Sequence, residues 1–247
     1  MTKLLILAGG YGTRLYPVVK DTPKALLEVA GKTLIDHTLD KFKAVDEIEE
    51  VVVVTNAKFA GMMSGWAKAR DGRPFPVRIV DDGTHTPEER LGAIGDVLFV
   101  IAKEQVVCDW IVAGSDNLFD YQIQDFLVFA KSVRPAVMIG CYDLEDIAGA
   151  VKYGVIELAP DGRVLSLEEK PKAPKTSLIS MCLYSFPAES LARLKAFVDE
   201  THNVDTTGGY IQWLYQKQSV YGFKFSGKWY DIGSIESYNE AQKSFRS

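Results

Sequence analysis

The chain has 247 residues, 47% of them hydrophobic and 25% charged, with a net charge of -5. That composition supports a sizeable buried core in a globular α/β domain, and the acidic balance argues against a general nucleic-acid binder. The three cysteines (Cys108, Cys141, Cys182) and three histidines (His37, His85, His202) are scattered, which excludes a disulfide framework, a zinc cluster and a Cys/His nucleophile pair.

The start, MTKLLILAGG, lacks the apolar core and cleavage site of a signal peptide, and no apolar run can span a bilayer. A cytoplasmic protein with reduced, apolar-packed thiols and no membrane partner is expected. Lys3–Ala8 reads as a buried strand stopped by glycine. Helical periodicity then covers Leu34–Val45, Phe59–Ala69, Glu88–Ala102 and Ile123–Ser132. Between these lie strand-like runs at Val51–Thr55, Val77–Val80, Trp110–Ala113 and Ala136–Ile139. The uninterrupted β-branched run VVVVT suits a parallel strand covered on both faces. Alternation of the two patterns predicts an open, mixed, mostly parallel sheet flanked by helices. After about residue 150 the texture changes. Tyr153–Leu158 and Arg163–Glu169 flank a Pro-Asp-Gly turn and read as a hairpin. Ile179–Phe186 and Val220–Phe225 are further strands; Ala188–Val198, Gly209–Gln216 and Ser234–Phe245 are helices.

The most informative stretch is LLILAGGYGTRLYP, Leu4–Pro17. Ligands of open α/β sheets bind beyond the carboxyl ends of the strands. Glycines there let backbone N–H groups approach a phosphate without a Cβ in the way. Gly9, Gly10 and Gly12 answer that need, Thr13 adds a hydroxyl, and Arg14 adds a fork of donors matched to phosphate oxygens. A tight turn with a surface arginine explains the glycines equally well when they stand alone. Two familiar motifs fail. A GxGxxG fingerprint starting at Gly10 would need glycine where Leu15 stands, and no GxxxxGK[ST] occurs. The continuation DTPKALLEVAGKTLIDH places Lys24, after Pro23, near Arg14. Residues 1–32 carry Lys3, Arg14, Lys20, Lys24 and Lys32 against Asp21 and Glu28. Two cations beside one glycine loop suit a triphosphate.

LAGGYGTRLYP followed by TPKALLEVAGKTLIDH resembles the signature of the sugar-1-phosphate nucleotidylyltransferases, GGxGTRLxP then PKxLLxVxGKPxI, and among these the glucose-1-phosphate thymidylyltransferases. The resemblance implies a Rossmann-like, GT-A-like sheet in one domain over 1–247. Its nucleotide-binding half would cover about 1–135 and its sugar-phosphate half about 136–247. It places the nucleotide on Leu7, Ala8, Gly9, Gly10, Gly12, Thr13, Arg14 and Gly92, with Arg14 and Lys24 as catalytic cations.

Three more segments extend it. WIVAGSDNLFD puts Asp116 after a strand end, where a carboxylate can hold Mg²⁺ or can simply cap a turn or helix. The family has Gly-Asp there; this chain has Gly-Ser-Asp-Asn, one residue longer, with Ser115 inserted. YGVIELAPDGRVLSLEEKPKAP resembles YGVxExxxxGxVxxxxEKP, which implies Gly154, Glu169 and Lys170 at the sugar phosphate. GKWYDIGSIESYNEA resembles WxDIGTxESYxxA, which makes Asp231 the second Mg²⁺ ligand, against the plainer reading of a helix cap.

The implied enzyme transfers a nucleotidyl group from a nucleoside triphosphate to a sugar 1-phosphate with Mg²⁺. By the resemblance dTTP and glucose 1-phosphate lead, with UTP or CTP open. Relatives that use thymine read it with glutamine and glycine. VDDGTHTPEERLGAIGD, residues 80–96, has Gly92 and Gly95 but no glutamine, so Asp82, Thr84 or Glu89 is left to face the base unless the stretch is a solvated loop before a helix at Pro87. Two other readings stand beside it. A glycosyltransferase would show an Asp-x-Asp motif where this chain has Ser-Asp-Asn. A non-catalytic NDP-sugar sensor would have lost a metal carboxylate or a phosphate cation, and none is missing. A homo-oligomer is compatible with all of these.

Overall fold

The structure is a computed structural model that describes residues 1–70, 74–104 and 106–246. The chain opens on β1 (Thr2–Ala8), where Leu4, Leu5 and Ile6 are fully buried. After the glycine loop, β2 (Glu28–Val29) and β3 (Lys32–Thr33) form a short hairpin, and Thr33 caps α1 (Leu34–Phe42) by accepting from the Asp36 N–H. Then come β4 (Ile48–Thr55), α2 (Ala60–Lys68), β5 (Val77–Asp81), α3 (Ala93–Ala102) and β6 (Asp109–Gly114). β1 pairs in parallel with both β4 and β6, and β4 with β5.

The second run holds β7 (Asn117–Phe119), α4 (Gln124–Ser132), β8 (Val137–Asp143), β9 (Gly154–Leu158), β10 (Val164–Glu169) and β11 (Leu178–Phe186). It continues through α5 (Ala192–Thr201), α6 (Thr207–Leu214), β12 (Val220–Phe225), β13 (Trp229–Asp231) and α7 (Ile235–Ser244). The main sheet has nine strands along β10-β9-β11-β6-β1-β4-β5, with β8 paired to β11 and β12 to β8. β11 runs antiparallel to β6, β8 and β9, and β10 antiparallel to β9. All the other strands of this sheet run the same way as β1, so it is mixed and mostly parallel.

Period-2 alternation sends the side chains of β1 to two cores. Leu4 and Ile6 meet Leu39 and Phe42 of α1, Met63 of α2 and Phe126 of α4. Leu5 meets Val97 of α3, Phe197 of α5 and Tyr210 of α6 on the other face. A third cluster joins Leu15 and Val19 to Leu118, Ile232, Ala241 and Phe245, and so anchors the glycine loop against α7.

Several expectations need correction. The segment Glu88–Ala102 is not one helix: α3 begins only at Ala93, and no helix starts at Pro87. Gly92 (φ 78°, ψ 166°) turns the chain out of helical space. The first N–H groups of α3, at Ala93, Ile94 and Gly95, donate to the carbonyls of Asp205 and Val204, so the helix start is fixed by tertiary contact. Ala188–Val198 splits into a single turn at Ala188–Ser190 and α5. Cys108 and Cys141 are buried as expected, but Cys182 is half-buried and lines a polar cavity. No helix among the described residues is long and apolar enough to cross a membrane.

Candidate active site

The glycine loop leaves the end of β1 and tightens at Gly12 (φ 61°) into a single turn over Thr13–Leu15. A Cβ on Gly12 would lie 2.9 Å from the Val19 side chain. Leu15 is buried while Thr13 and Arg14 are exposed. The buried leucine therefore aims the arginine outward over a cavity of about 270 Å³, lined by Leu7, Ala8, Gly10, Thr13, Lys24 and Asp116 among others. Asn56 holds the loop from β4: its Nδ2 donates to the Gly9 carbonyl at 2.9 Å, and its Oδ1 accepts from the Phe59 N–H.

Asp116 follows β6 through the buried Ser115, whose N–H donates to the Leu7 carbonyl at 3.1 Å. Ser115 thus continues the pairing of β6 with the end of β1 and ties the acid's segment to it. The Asp116 carboxylate accepts from Lys24 Nζ at 2.7 Å and from Asn117 Nδ2 at 2.9 Å. Asn117 in turn accepts from Trp229 Nε1 at 2.7 Å. Burial raises the pKa of Asp116, but the Lys24 charge and the hydrogen bonds outweigh it and hold the carboxyl below its ordinary range.

Asp231 reaches Asp116 by a route the sequence did not reveal. β13 pairs antiparallel with β7, setting Asp231 opposite Asn117, and the Ile232 N–H donates to the Asp116 carbonyl at 2.9 Å. Burial, then the neighbouring Asp116 carboxylate, pushes Asp231 up to about 6. Neither acid caps a helix: α7 is capped by a box of Ser234 and Ser237, and α4 begins at Gln124. Two carboxylates held against each other at an electrostatic cost, with oxygen donors only, fit a hard divalent cation such as Mg²⁺.

The next cavity, about 480 Å³, shares Arg14, Asp116 and Gly233 with the first and is lined further by Gly154, Glu169, Lys170, Thr207 and Asp231. The Glu169 side chain sits between two glycines. A Cβ on Gly154 would come 3.0 Å from Glu169 Oε2, and one on Gly208 only 1.9 Å from it. Burial raises the pKa of Glu169, with Lys170 opposing. Lys170 has φ 48°, and its Nζ stands 3.6 Å from Glu169 Oε1. Sequence reasoning missed Gly208 and the Tyr184 hydroxyl, which donates to Thr207 Oγ1 at 2.7 Å. A methyl at Gly208 displaces the Glu169 carboxylate. For the sugar phosphate that the sequence resemblance implies, Gly208→Ala is expected to raise KM about tenfold, the worth of one charged hydrogen bond, with KM for the implied nucleotide nearly unchanged. Initial-rate kinetics with each substrate varied checks it.

A third cavity, about 240 Å³, continues from the glycine loop past Leu7 and Gly10 to Gly92, Asp82 and Asp96. Gly92 lines the same cavity as Gly9 and Gly10 and packs directly on the backbone of Val204 and Asp205. Of the three residues considered for the base, Thr84 spends its N–H and hydroxyl on Asp82 Oδ1, both at 2.7 Å. Glu89 is exposed and accepts from the His85 N–H. Only Asp82 lines the cavity, joined by Asp96, which sequence reasoning passed over. Burial, then the charge of Asp82, pushes Asp96 up to about 7. A carboxyl raised on folding favours the native state only while protonated, so its contribution falls as pH rises from about 4 to 7. Asp96→Asn is expected to leave stability nearly unchanged at pH 4 and to raise it by on the order of 2–4 kcal/mol at pH 8. Urea unfolding at the two pH values measures this.

A mostly parallel sheet with a glycine loop at the end of β1, and two carboxylates beside it, is the fold of the nucleotide-sugar transferases. The chain belongs to the nucleotidyl transferase family, whose model matches residues 3–247. It is 24% identical over 241 residues to the bifunctional protein GlmU of Methanocaldococcus jannaschii, covering 97% of this chain and 53% of that protein. It is 30% identical over 271 residues to a glucose-1-phosphate adenylyltransferase of Aliivibrio fischeri, covering 96% and 64%. The chain thus spans about half to two thirds of the length of these curated relatives. In fold it is similar to a structure described as a glucose-1-phosphate thymidylyltransferase from Bacillus anthracis in complex with a sucrose. The TM-score is 0.81 at 23% identity, over 100% of this chain and 97% of that one. It is also similar to a UDP-glucose pyrophosphorylase complexed with UDP-glucose, with a TM-score of 0.78 at 21% identity, over 99% and 98%.

Proposed function

We propose that the chain transfers a nucleotidyl group from a nucleoside triphosphate to a sugar 1-phosphate, releasing pyrophosphate. The carrying observation is the junction of the two larger cavities at Arg14, Asp116 and Gly233: cations and a glycine loop lie on one side, Glu169 and Lys170 on the other. An oxygen of the sugar phosphate attacks the α-phosphorus, and the bond to the bridging oxygen of pyrophosphate breaks in line. The nucleophile is already anionic, so the site needs no general base and no covalent intermediate. It needs positioning and charge neutralisation.

Leu7, Ala8, Gly9, Gly10, Gly12 and Thr13 would cradle the nucleotide, Arg14 and Lys24 would neutralise its phosphates, and Gly92 would border the base. Lys24 is paired with Asp116, so binding would exchange that partner for a phosphate. Lys170 would aim the sugar phosphate, and Glu169 and the Gly154 backbone would take the sugar hydroxyls. Mg²⁺, held by Asp116 and Asp231, would supply Lewis-acid neutralisation of phosphate charge. The resemblance favours dTTP and glucose 1-phosphate, with UTP and CTP the other pyrimidine donors. A cytoplasmic location is proposed on the same footing. The test is pyrophosphate release over a grid of triphosphates and sugar 1-phosphates. Release that needs one member of each set supports the reading; no release, with an NDP-sugar still bound, replaces it with a sensor.

A further inference from the structure

Two buried carboxylates beside the glycine loop take no part in the transfer chemistry. Asp82 follows β5 and Asp96 stands in the first turn of α3; they are only 7% and 6% exposed. Both line the cavity that continues from the loop past Leu7 and Gly10. A nucleotide with its phosphates on the loop would place its base there. Asp82 Oδ1 is satisfied by Thr84. Asp96 is not satisfied: its Oδ1 is sealed from solvent with no hydrogen-bond partner among the described residues, while its Oδ2 faces Gly9. Its neighbours on α3, Ile94 and Val97, are fully buried apolar side chains.

Gly9 makes the room. A Cβ there would lie 2.5 Å from Asp96 Oδ2 and 3.2 Å from Asp82 Oδ2. The loop therefore omits the one methyl that would drive the acid out. A buried carboxyl without partners lowers stability, and such groups mark places where a ligand completes the hydrogen bonding.

We propose that Asp96 and Asp82 together select a guanine base, whose 2-amino group donates to Asp96 Oδ2 and whose ring N1–H donates to Asp82 Oδ2. The inference rests on the nucleotidyl-transfer reading and replaces thymine as the favoured base. Guanine offers two adjacent donors, which match the two carboxylate oxygens, Asp96 Oδ2 and Asp82 Oδ2, that face the Gly9 position. Thymine and uracil offer one N–H between two carbonyls, and those carbonyls would face carboxylate oxygens. Adenine and cytosine offer an amino group beside a bare ring nitrogen, which is one donor where two are wanted. A site built from buried polar groups rejects analogues that leave those groups unpaired.

Equilibrium binding of GTP, ITP, dTTP, UTP, CTP and ATP to the full chain with Mg²⁺, read by calorimetry, tests the proposal. GTP is expected to bind at least about tenfold tighter than each of the others. ITP lacks only the 2-amino group, so its deficit against GTP isolates that contact. Asp96→Asn, an isosteric change, is expected to lose most of the GTP/ITP margin. Equal binding of dTTP or UTP, an unchanged GTP/ITP ratio in Asp96→Asn, or no nucleotide binding would each overturn the guanine site. Turnover is a separate readout. Pyrophosphate release from dTTP with weak GTP binding removes guanine and leaves the transfer reading standing. Tight GTP binding without release on any sugar phosphate removes the transfer reading and leaves the guanine site.

Discussion

Asp116→Ala is expected to lower turnover by about a hundredfold or more, the scale on which removal of one preorganised electrostatic partner acts. Three things end with that carboxylate. Lys24 loses its partner at 2.7 Å, Asp231 loses the neighbour that raises its pKa, and the proposed Mg²⁺ loses one of two protein ligands. Loss of the lysine's partner alone perturbs the loop; loss of the cation ligand raises the Mg²⁺ concentration needed for half-maximal rate. Pyrophosphate release titrated with Mg²⁺ separates the two. A variant with near-normal turnover and an unshifted Mg²⁺ dependence would remove Asp116 from the site. Arg14→Ala, which touches no carboxylate ligand, is expected to lose a similar factor without moving the Mg²⁺ dependence.

Gly92→Ala is expected to lower stability by on the order of 3 kcal/mol or more. Two costs add. The position has φ 78° and ψ 166°, a region adopted almost only by glycine, which costs an L side chain about 1–3 kcal/mol. The new Cβ would also lie 2.4 Å from the Val204 carbonyl oxygen and 2.6 Å from Asp205 Cα. Both contacts are backbone, so neither can swing aside as a side chain would. Those same residues accept the first hydrogen bonds of α3, so the damage reaches the wall of the cavity lined by Asp82 and Asp96. Urea unfolding gives the stability loss, and nucleotide binding by the folded fraction gives the functional one. An unfolding midpoint within error of the parent would show that the segment near Val204 yields more easily than its packing implies.

The parts of the fold visible in the sequence are those set by local pattern. VVVVT and LLILA are too apolar to be anything but covered strands, and both are paired on two sides within the sheet. The hairpin at Pro160–Asp161–Gly162 is written in its turn residues, and it appears as β9 and β10. What stayed hidden is set by distant contact. The β7–β13 ribbon joins three-residue strands whose partners, Asn117 and Asp231, stand far apart in the chain. No periodicity can show so short a strand, yet this ribbon carries one carboxylate to the other. The false helix start at Glu88 has the same origin: proline followed by acids reads as a helix beginning, while the backbone of Val204 and Asp205 decides the true one.

The site divides similarly. Gly9, Gly10, Gly12, Arg14 and Lys24 lie within 16 residues of one another, and their order alone suggests a phosphate loop. Asp96 was passed over because a lone acid in a helix is ordinarily a solvated one. Its signal was present: it stands between Ile94 and Val97 in a strongly apolar stretch, AIGDVLFVIA, where helical phase turns it inward. Gly208 gave no signal at all, because its meaning lies in the Glu169 carboxylate that packs on it from another element.

The central claim is that one cleft joins a nucleoside triphosphate to a sugar 1-phosphate. Pyrophosphate release by the full chain with Mg²⁺, over the grid of triphosphates and sugar 1-phosphates, tests it most directly. The account predicts release only when one triphosphate and one sugar phosphate are present together, with the NDP-sugar formed in equal amount. Release from a triphosphate alone, or silence across the whole grid, would contradict it.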